Sequence, residues 1–358
     1  MERQGLSERA ATDVAAAVSA AVGIQSQMSS AADLSVAARM ATPQRGATDA
    51  ALWEGYTVWR TWALRGTLHL LPAAEAGIWL GGLSGRQNWR RASWLRAFGI
   101  SMEEMEALID AIGLELAGEP LTRLELGAAV EERLRTPGLA ERLQESWGAL
   151  LKPAAYSGLL CHGPPRGRWL TFTRPDRLLG DVRRVDGPTA LSELVRRFLT
   201  AHGPATAPEV ARWWGVPPAQ GRRLLTALAD ETTTVSIDGS PAVALRADVP
   251  ALAAASPSTQ VRLLPLFDVY TITGLTGAAV PLALRPLVSR TSGWISATVV
   301  MGGRVVGVWE SAVRRGVVEV SVSWFRGARR PPRPLLVAEV ERLGAYAGTS
   351  ARLVTGGR

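Results

Sequence analysis

Gln25 and Gln27, in the run Gly23-Ile24-Gln25-Ser26-Gln27, are two carboxamides one residue apart. On a helix, positions i and i+2 lie about 200° apart and cannot share a target. In an extended stretch they point the same way. Gly23 before the pair and Ser29-Ser30 after it favour a frayed or extended segment, in which both side chains can converge on one point. Such a pair would act through hydrogen bonds and dipoles, because neutral amides are too weak to serve as general bases. A bare Gln-x-Gln also arises without function, and spacing alone leaves both readings open. A second set, Arg65, Thr67 and His69, alternates along a short strand facing away from Leu64, Leu68 and Leu70. Arg65 and His69 are either half-buried and hydrogen-bonded within the fold, or stand near the Gln pair and hold a phosphate or a sugar. Asp268, next to Phe267, either orients a site group or caps the segment that follows a strand.

Composition removes several other chemistries. One cysteine, Cys161, excludes an internal disulfide framework, and with three histidines the chain lacks material for a Cys/His zinc site. The single lysine, Lys152, precedes a proline, which excludes a phosphate loop ending in Gly-Lys-Ser/Thr. No metal and no cofactor are expected. The 358 residues, 47% hydrophobic and 20% charged, suit two to four domains at roughly 100–200 residues each. The net charge of +8 comes almost wholly from arginine and is unevenly spread. Arginines 285, 290, 304, 314, 315, 326, 329, 330 and 333 face only Glu310 and Glu319 in that interval, a plausible phosphate-binding surface rather than a merely solvated one. The uncharged N-terminal run 14–32 holds Gln25, Gln27 and several serines, too polar to span a membrane. No basic region precedes it as a signal peptide would need, so a cytoplasmic protein without membrane contact is expected. Most of the thirteen tryptophans, at least one of the Trp213-Trp214 pair, and Met102 and Met105 are read as core.

The elements that must position these residues recur in one order. Residues 8–23 read as a helix stopped by Gly23, a second helix is capped by Asp33 and runs to Met40, and a third covers 48–56. Strands 57–62 and 67–71 follow, joined tightly. Three helices and a two-stranded ribbon are the order of a winged helix. Residues 86–160 are mainly helical, including 102–117 and 121–134, and lead into a hairpin around Pro164-Pro165-Arg166-Gly167. The third instance is the cleanest: helices 191–201, 205–214 (opened by Pro204) and 217–230, then strands 233–237 and 242–246 meeting at Asp238-Gly239, a strong hairpin turn. Arg222 and Arg223 fall on its third helix, where a recognition helix would carry them. Beyond a linker at Ser256-Pro257-Ser258, strands are read at 261–267, 294–301, 304–309 and 317–325, with a closing helix after Pro334 to Tyr346. The expected domains are 1–85, 86–180, 181–255 and 256–358. The fold class is mainly α with α+β winged-helix units, as tandem winged helix-turn-helix domains with a β-rich C-terminal part.

Residues 23–27, then Leu64-Arg65-Gly66-Thr67-Leu68-His69-Leu70, then Leu263-Leu264-Pro265-Leu266-Phe267-Asp268-Val269-Tyr270 together resemble the winged-helix DNA glycosylases of the AlkZ/YcaQ type. Gly293-Trp294-Ile295 and Gly303-Arg304-Val305-Val306-Gly307 extend the resemblance over essentially the whole chain. It implies a C-shaped array of the winged-helix units and hydrolysis of the N-glycosidic bond of N7-alkylated purines. The YcaQ branch typically carries Gln-x-Asp, whereas both positions here are Gln, as in the AlkZ branch that unhooks interstrand crosslinks or bulky adducts of toxic natural products. Ser26 stands where that branch usually has an aliphatic residue, a departure that bears on substrate more than on activity. The implied enzyme is a monofunctional glycosylase with Gln25 and Gln27 catalytic. An N7-alkylguanine is already cationic and leaves without an acid, and a lyase would need an amine, of which Lys152 is the only side-chain example. Arg65, His69, Arg222, Arg223, Arg304, Arg314 and Arg315 are the expected DNA-binding residues, and double-stranded DNA with alkylated guanine the partner. One of the tips Gly302-Gly303-Arg304 or Arg314-Arg315-Gly316 is expected to enter the minor groove while the base stays in the stack. No dimerisation heptad is present, so a monomer is expected. Two other classes remain open here: a winged-helix transcription regulator with an incidental Gln pair, and a non-catalytic lesion-binding resistance protein.

Overall fold

Asp13 starts the first helix, Val14–Ala21, by accepting a hydrogen bond from the Ala16 amide on its side chain. The helix therefore begins six residues later than alanine content suggests. It ends at Val22 and Gly23, both at positive φ (54° and 93°). Ile24 and Gln25 are then extended, and a second helix covers Ser29–Ala37. Asp33 lies inside that helix and does not cap it. Burial of Ala31 and Ala32 brings the helix start forward, with Met28 at the N-cap and no side-chain cap.

This computed structural model describes residues 1–256, 258–275, 277 and 279–354. Pro257, in the expected linker, lies outside the described residues. The protein is mixed α/β and divides into two compact units, Met1–Thr48 with Val195–Arg358, and Asp49–Leu194. No helix among the described residues is long and apolar enough to cross a membrane.

In the second unit, strands Val58–Trp62 and Leu68–Pro72 pair antiparallel from Val58↔Pro72 to Trp62↔Leu68. Their connection is a 3-10 turn, Leu64–Gly66, with Arg65 at φ 55° and Gly66 at φ 69°. The helices Met102–Glu115 and Arg123–Leu134 open with capping boxes, Ser101 with Glu104 and Thr122 with Glu125. Met105 is fully buried, as expected of core, whereas Met102 is half-buried. Leu121–Thr122 is a strand rather than a first helical turn. It pairs with Trp169–Thr173, which pairs in turn with Cys161–Arg166.

In the first unit, helix Ala207–Trp214 is opened by a Thr206–Glu209 capping box, with Pro208 in its first turn, so Thr206 rather than Pro204 sets its start. Helix Pro218–Thr226 packs so closely on it that a Cβ at Gly221 would stand 2.3 Å from the Ala207 carbonyl oxygen. Strands Thr232–Ile237 and Ser240–Leu245 join through Asp238 (φ 50°) and Gly239 (φ 79°), the positive-φ pair that the Asp-Gly turn predicts. Both Trp213 and Trp214 are buried.

The rest of this unit is built on a five-stranded sheet ordered Ala351–Val354, Val317–Trp324, Arg304–Arg314, Thr298–Met301, Val261–Leu264. All pairs are antiparallel except that of the last strand in sequence, Ala351–Val354, which the sequence reading lacks. Helix Arg333–Ala347 covers one face through Leu336 and Val340, which pack on Val261, Val299 and Val320. The other face packs Leu264, Val300 and Val305 on Leu6, Ile272 and Val288. Strand 261–264 ends before Pro265, which has no amide to give a ladder. Residues 294–297 are not a regular strand, because the Ser296 amide bonds the Val288 carbonyl instead.

Candidate active site

Gln25 and Gln27 sit on the irregular stretch between the helices Val14–Ala21 and Ser29–Ala37. Gln25 ends the extended pair and is buried, whereas Gln27 lies in the following bend and is exposed. The extended geometry thus stops between the two carboxamides. The end of the preceding helix is fixed from two sides. Trp213 Nε1 donates to the Val22 carbonyl at 3.4 Å. His202 Nε2 lies 3.1 Å from the Ala21 carbonyl oxygen and must therefore carry the proton, leaving Nδ1 to accept from Gln4 Nε2 at 3.0 Å. Burial pushes His202 down to about 4, with the Arg39 cation adding to it despite the hydrogen bond to Ala21. This imidazole is a neutral strut holding the base of the Gln segment.

The other end of the segment is held through the next helix. Arg39 donates twice to Asp268, at 2.8 and 3.0 Å, and both side chains are fully buried. Ser35 Oγ donates to the same carboxylate at 2.5 Å, and Asp268 Oδ1 accepts the Tyr270 amide at 2.9 Å. Burial alone would raise this carboxyl, but the Arg39 guanidinium and these hydrogen bonds hold it below the usual carboxylate range. Asp268 is thus the N-cap of helix Val269–Gly274 and the anchor of helix Ser29–Ala37. Of the two sequence readings, capping is the one seen. Arg39, Ser35 and His202 were missed, because nothing local marks a partner more than 160 residues away.

Arg65 and His69 meet in the second unit, with Arg65 in the turn rather than on the strand. His69 is buried; its Nδ1 lies 2.9 Å from the Thr67 carbonyl oxygen and so donates, and its Nε2 faces an Arg65 guanidinium nitrogen at 3.3 Å. Burial and the Arg65 cation keep this imidazole well below the ordinary histidine range. Arg65 is half-buried. Lys152 lies in the same unit near this turn: a Cβ on Gly66 would stand 3.3 Å from the Tyr156 hydroxyl and 3.9 Å from the lysine nitrogen. Burial lowers the Lys152 ammonium from its ordinary value.

The remaining basic candidates are distributed over the first unit. Arg222 and Arg223 are exposed on helix Pro218–Thr226. Gly302-Gly303 and Arg315-Gly316 are hairpin tips as expected, and the strand between them runs to Arg314 rather than stopping at Trp309. Arg314 and Arg315 are exposed at the end of this long arm, with Arg315 at φ 52° and Arg314 3.6 Å from Glu319. Arg304 pairs with Asp238 at 2.8 Å, so the two turns Asp238-Gly239 and Gly302-Gly303 are clasped together.

A family model described as DNA glycosylase AlkZ-like matches residues 18–346. An interstrand DNA cross-link repair glycosylase of Streptomyces sahachiroi is 37% identical over 298 residues, covering 81% of this chain and 79% of that protein. The solved structure of Streptomyces sahachiroi DNA glycosylase AlkZ matches with a TM-score of 0.90 at 34% identity, over 99% of this chain and 97% of that one. Matched over most of its length in sequence and nearly all of it in fold, the chain belongs to the AlkZ-like family of DNA glycosylases, which agrees with the resemblance carried by its Gln, His and Pro-Leu-Phe-Asp segments.

Proposed function

We propose that this DNA glycosylase hydrolyses the N-glycosidic bond of cationic N7-alkylguanine adducts, interstrand crosslinks included, and protects its host from a genotoxic natural product. The observation that carries the reading is the Gln25–Gln27 segment, braced by neutral His202 at one end and by the Arg39–Asp268 pair at the other. The name of the Streptomyces sahachiroi relative supports the crosslink as substrate. In the reaction, water oxygen bonds to C1′ while the C1′–N9 bond breaks. The bond's electron pair goes to the base and neutralises its charge, and the water's surplus proton passes to solvent. Gln25 and Gln27 orient that water and stabilise the oxocarbenium-like sugar by carboxamide dipoles. Unalkylated purines lack the charge and are poor substrates. No step needs an amine, so the enzyme is monofunctional.

The runs of helices closed by a hairpin are read as tandem winged helices over the segments 1–85, 86–180 and 181–255, followed by the β-rich 256–358. Arg222 and Arg223, Arg65 and His69, and Arg304 with Arg314 and Arg315 contact the duplex in this reading. One of the two arginine-bearing hairpin tips enters the minor groove beside a lesion left in the stack. The enzyme acts as a monomer in the cytoplasm. Gln25→Ala and Gln27→Ala test the core of the proposal. Each should keep its fold and DNA binding yet excise 7-methylguanine at least about tenfold more slowly, ~1.4 kcal/mol of transition-state stabilisation. Wild-type single-turnover rates in both variants would remove it.

A further inference from the structure

Lys152 is the chain's only lysine, and the glycosidic chemistry proposed above gives it no part. The fold of the second unit nevertheless brings it to the turn that carries Arg65. The strands Val58–Trp62 and Leu68–Pro72 are joined through Arg65 (φ 55°) and Gly66 (φ 69°), so two successive residues take the left-handed region. Glycine does so freely, whereas arginine rarely does. What holds Arg65 there includes His69. That ring donates from Nδ1 to the Thr67 carbonyl at 2.9 Å, so its Nε2 is the acceptor for an Arg65 guanidinium nitrogen 3.3 Å away. The neutral imidazole thereby fixes one edge of a guanidinium that has five N–H donors in all.

Beside this turn stand a hydroxyl and an ammonium. A Cβ on Gly66 would lie 3.3 Å from Tyr156 Oη and 3.9 Å from Lys152 Nζ. The missing side chain thus leaves a hollow with donors on its rim, a space that any other residue would fill. Arg86 backs the hydroxyl: its guanidinium lies 5.6 Å from the centroid of the Tyr156 ring and hydrogen-bonds Oη. Arginine has only donors, so Oη accepts from Arg86 and keeps its own proton to give. Tyr156 is 4% exposed and held in place, whereas Gly66 and the three cations are half-buried, which puts the hollow at the surface.

The charges gathered here are of one sign. Burial, and then the Arg65 and Arg86 cations, push the His69 imidazole well below the ordinary histidine range, so both guanidinium fields fall on one spot. Burial also lowers the Lys152 ammonium and the Arg86 guanidinium from their ordinary values, so each is held partly out of water. Like charges kept from solvent are costly until an anion joins them. A phosphodiester offers two charged oxygens, one for the ammonium and hydroxyl and one for the guanidinium.

We infer that the hollow at Gly66 receives one backbone phosphate of the DNA, held by Lys152 Nζ, Tyr156 Oη and the Arg65 guanidinium, with His69 and Arg86 as positioning residues behind them. The inference deepens the reading of Arg65 and His69 as duplex contacts and rests on it. It gives His69 its part through Arg65, and it adds a lysine and a tyrosine to a surface otherwise made of arginine. Such a contact reads no sequence and fixes the register of the duplex on the second unit.

The test uses the full-length enzyme and a duplex without a lesion, so that catalysis does not enter. Binding is measured against salt, then repeated with single methylphosphonates that neutralise one phosphate at a time. Lys152→Met should weaken binding about fivefold or more at low salt and lower the salt slope by about one unit. Tyr156→Phe, which keeps the packing, should weaken binding with the slope unchanged. One methylphosphonate position should weaken wild-type binding by the same factor as Lys152→Met and have no further effect in that variant. A wild-type slope in Lys152→Met, or losses that add at every position, would overturn the inference. Inorganic phosphate is the other source of such an anion. If it raises the melting temperature of the wild type but not of Lys152→Met, while the duplex shows no coupling, the hollow binds the free ion and the inference fails. With Arg65→Ala impaired and Lys152→Met unimpaired, the inference fails and the duplex reading of Arg65 stands. Wild-type binding by both variants removes the two together.

Discussion

The residues given a part in the proposed catalysis and DNA contact share an absence of titration near neutral pH. Carboxamides do not ionise, and His69 donates from Nδ1 to the Thr67 carbonyl while its other nitrogen faces the Arg65 cation, so it stays neutral well below the ordinary histidine range. His202 is likewise neutral until the pH approaches 4. With the Gln pair as the proposed catalytic groups, the reaction has no acid or base to switch on or off. Excision of 7-methylguanine should therefore be level with pH between about 6 and 8, measured as the single-turnover rate. A limb with an apparent pKa near 6.5 would show that a histidine exchanges a proton in the reaction. The amine question is answered at this scale too. Lys152 is the chain's single lysine and burial lowers its ammonium, so borohydride trapping on an abasic duplex checks it directly. No protein–DNA adduct is expected, and an adduct lost in Lys152→Arg would make the enzyme a lyase.

At the scale of elements, the fully buried pair Arg39–Asp268 binds a helix from the first fifty residues to one some 230 residues later. Removing one partner leaves a buried charge unpaired, and asparagine at 268 isolates that effect because its Oδ1 can still accept the Tyr270 amide as N-cap. Asp268→Asn should destabilise the protein by roughly 3–5 kcal/mol in denaturant unfolding. Replacing both residues by apolar ones of similar volume should recover part of that loss. A small effect of the single substitution would mean that solvent reaches the pair. This link also marks where sequence reading stops. Turns at Asp238-Gly239, Gly302-Gly303 and Arg315-Gly316 were legible because two-residue hairpins demand positive φ and each pair ends in a glycine that supplies it. The Gln segment was legible for a similar reason, since Gly23 had to end the helix. The start of helix Ser29–Ala37 was not, because burial of two alanines outweighed the capping preference of Asp33. Strand Ala351–Val354 escaped as well: its residues are half-buried or exposed with no alternation to betray a strand. The hollow at Gly66 was beyond reach in principle, since its lining comes from separate stretches that only the tertiary fold assembles.

For the whole molecule, His69 and His162 are buried and His202 is half-buried, and each has its pKa lowered chiefly by loss of solvent. The unfolded chain binds protons at these positions below about 6.5 while the folded one does not, so stability is complete above that pH and falls as the pH drops. For His202 the loss continues down to about 4. Each histidine adds a slope approaching about 1.4 kcal/mol per pH unit within its window. Denaturant midpoints at pH 7, 5.5 and 4.5 should decline accordingly, and a flat profile would place the imidazoles in contact with water. The surface charge behaves differently, because guanidinium groups do not titrate and respond only to salt. DNA carries a condensed layer of cations, and each arginine that neutralises a phosphate sets roughly one of them free. Arg304 already carries Asp238, in a pair that is 58% and 68% exposed and so weak enough to exchange. Asp238 stays tethered beside Arg304 as a phosphate arrives, so the pair brings no net charge and displaces little of the DNA's cation layer. Asp238→Asn, which leaves Arg304 its full charge, should thus steepen the salt slope of DNA binding by about one unit, and an unchanged slope would show that Arg304 meets no phosphate. The clasp between two turns makes one arginine of the basic surface blind to ionic strength.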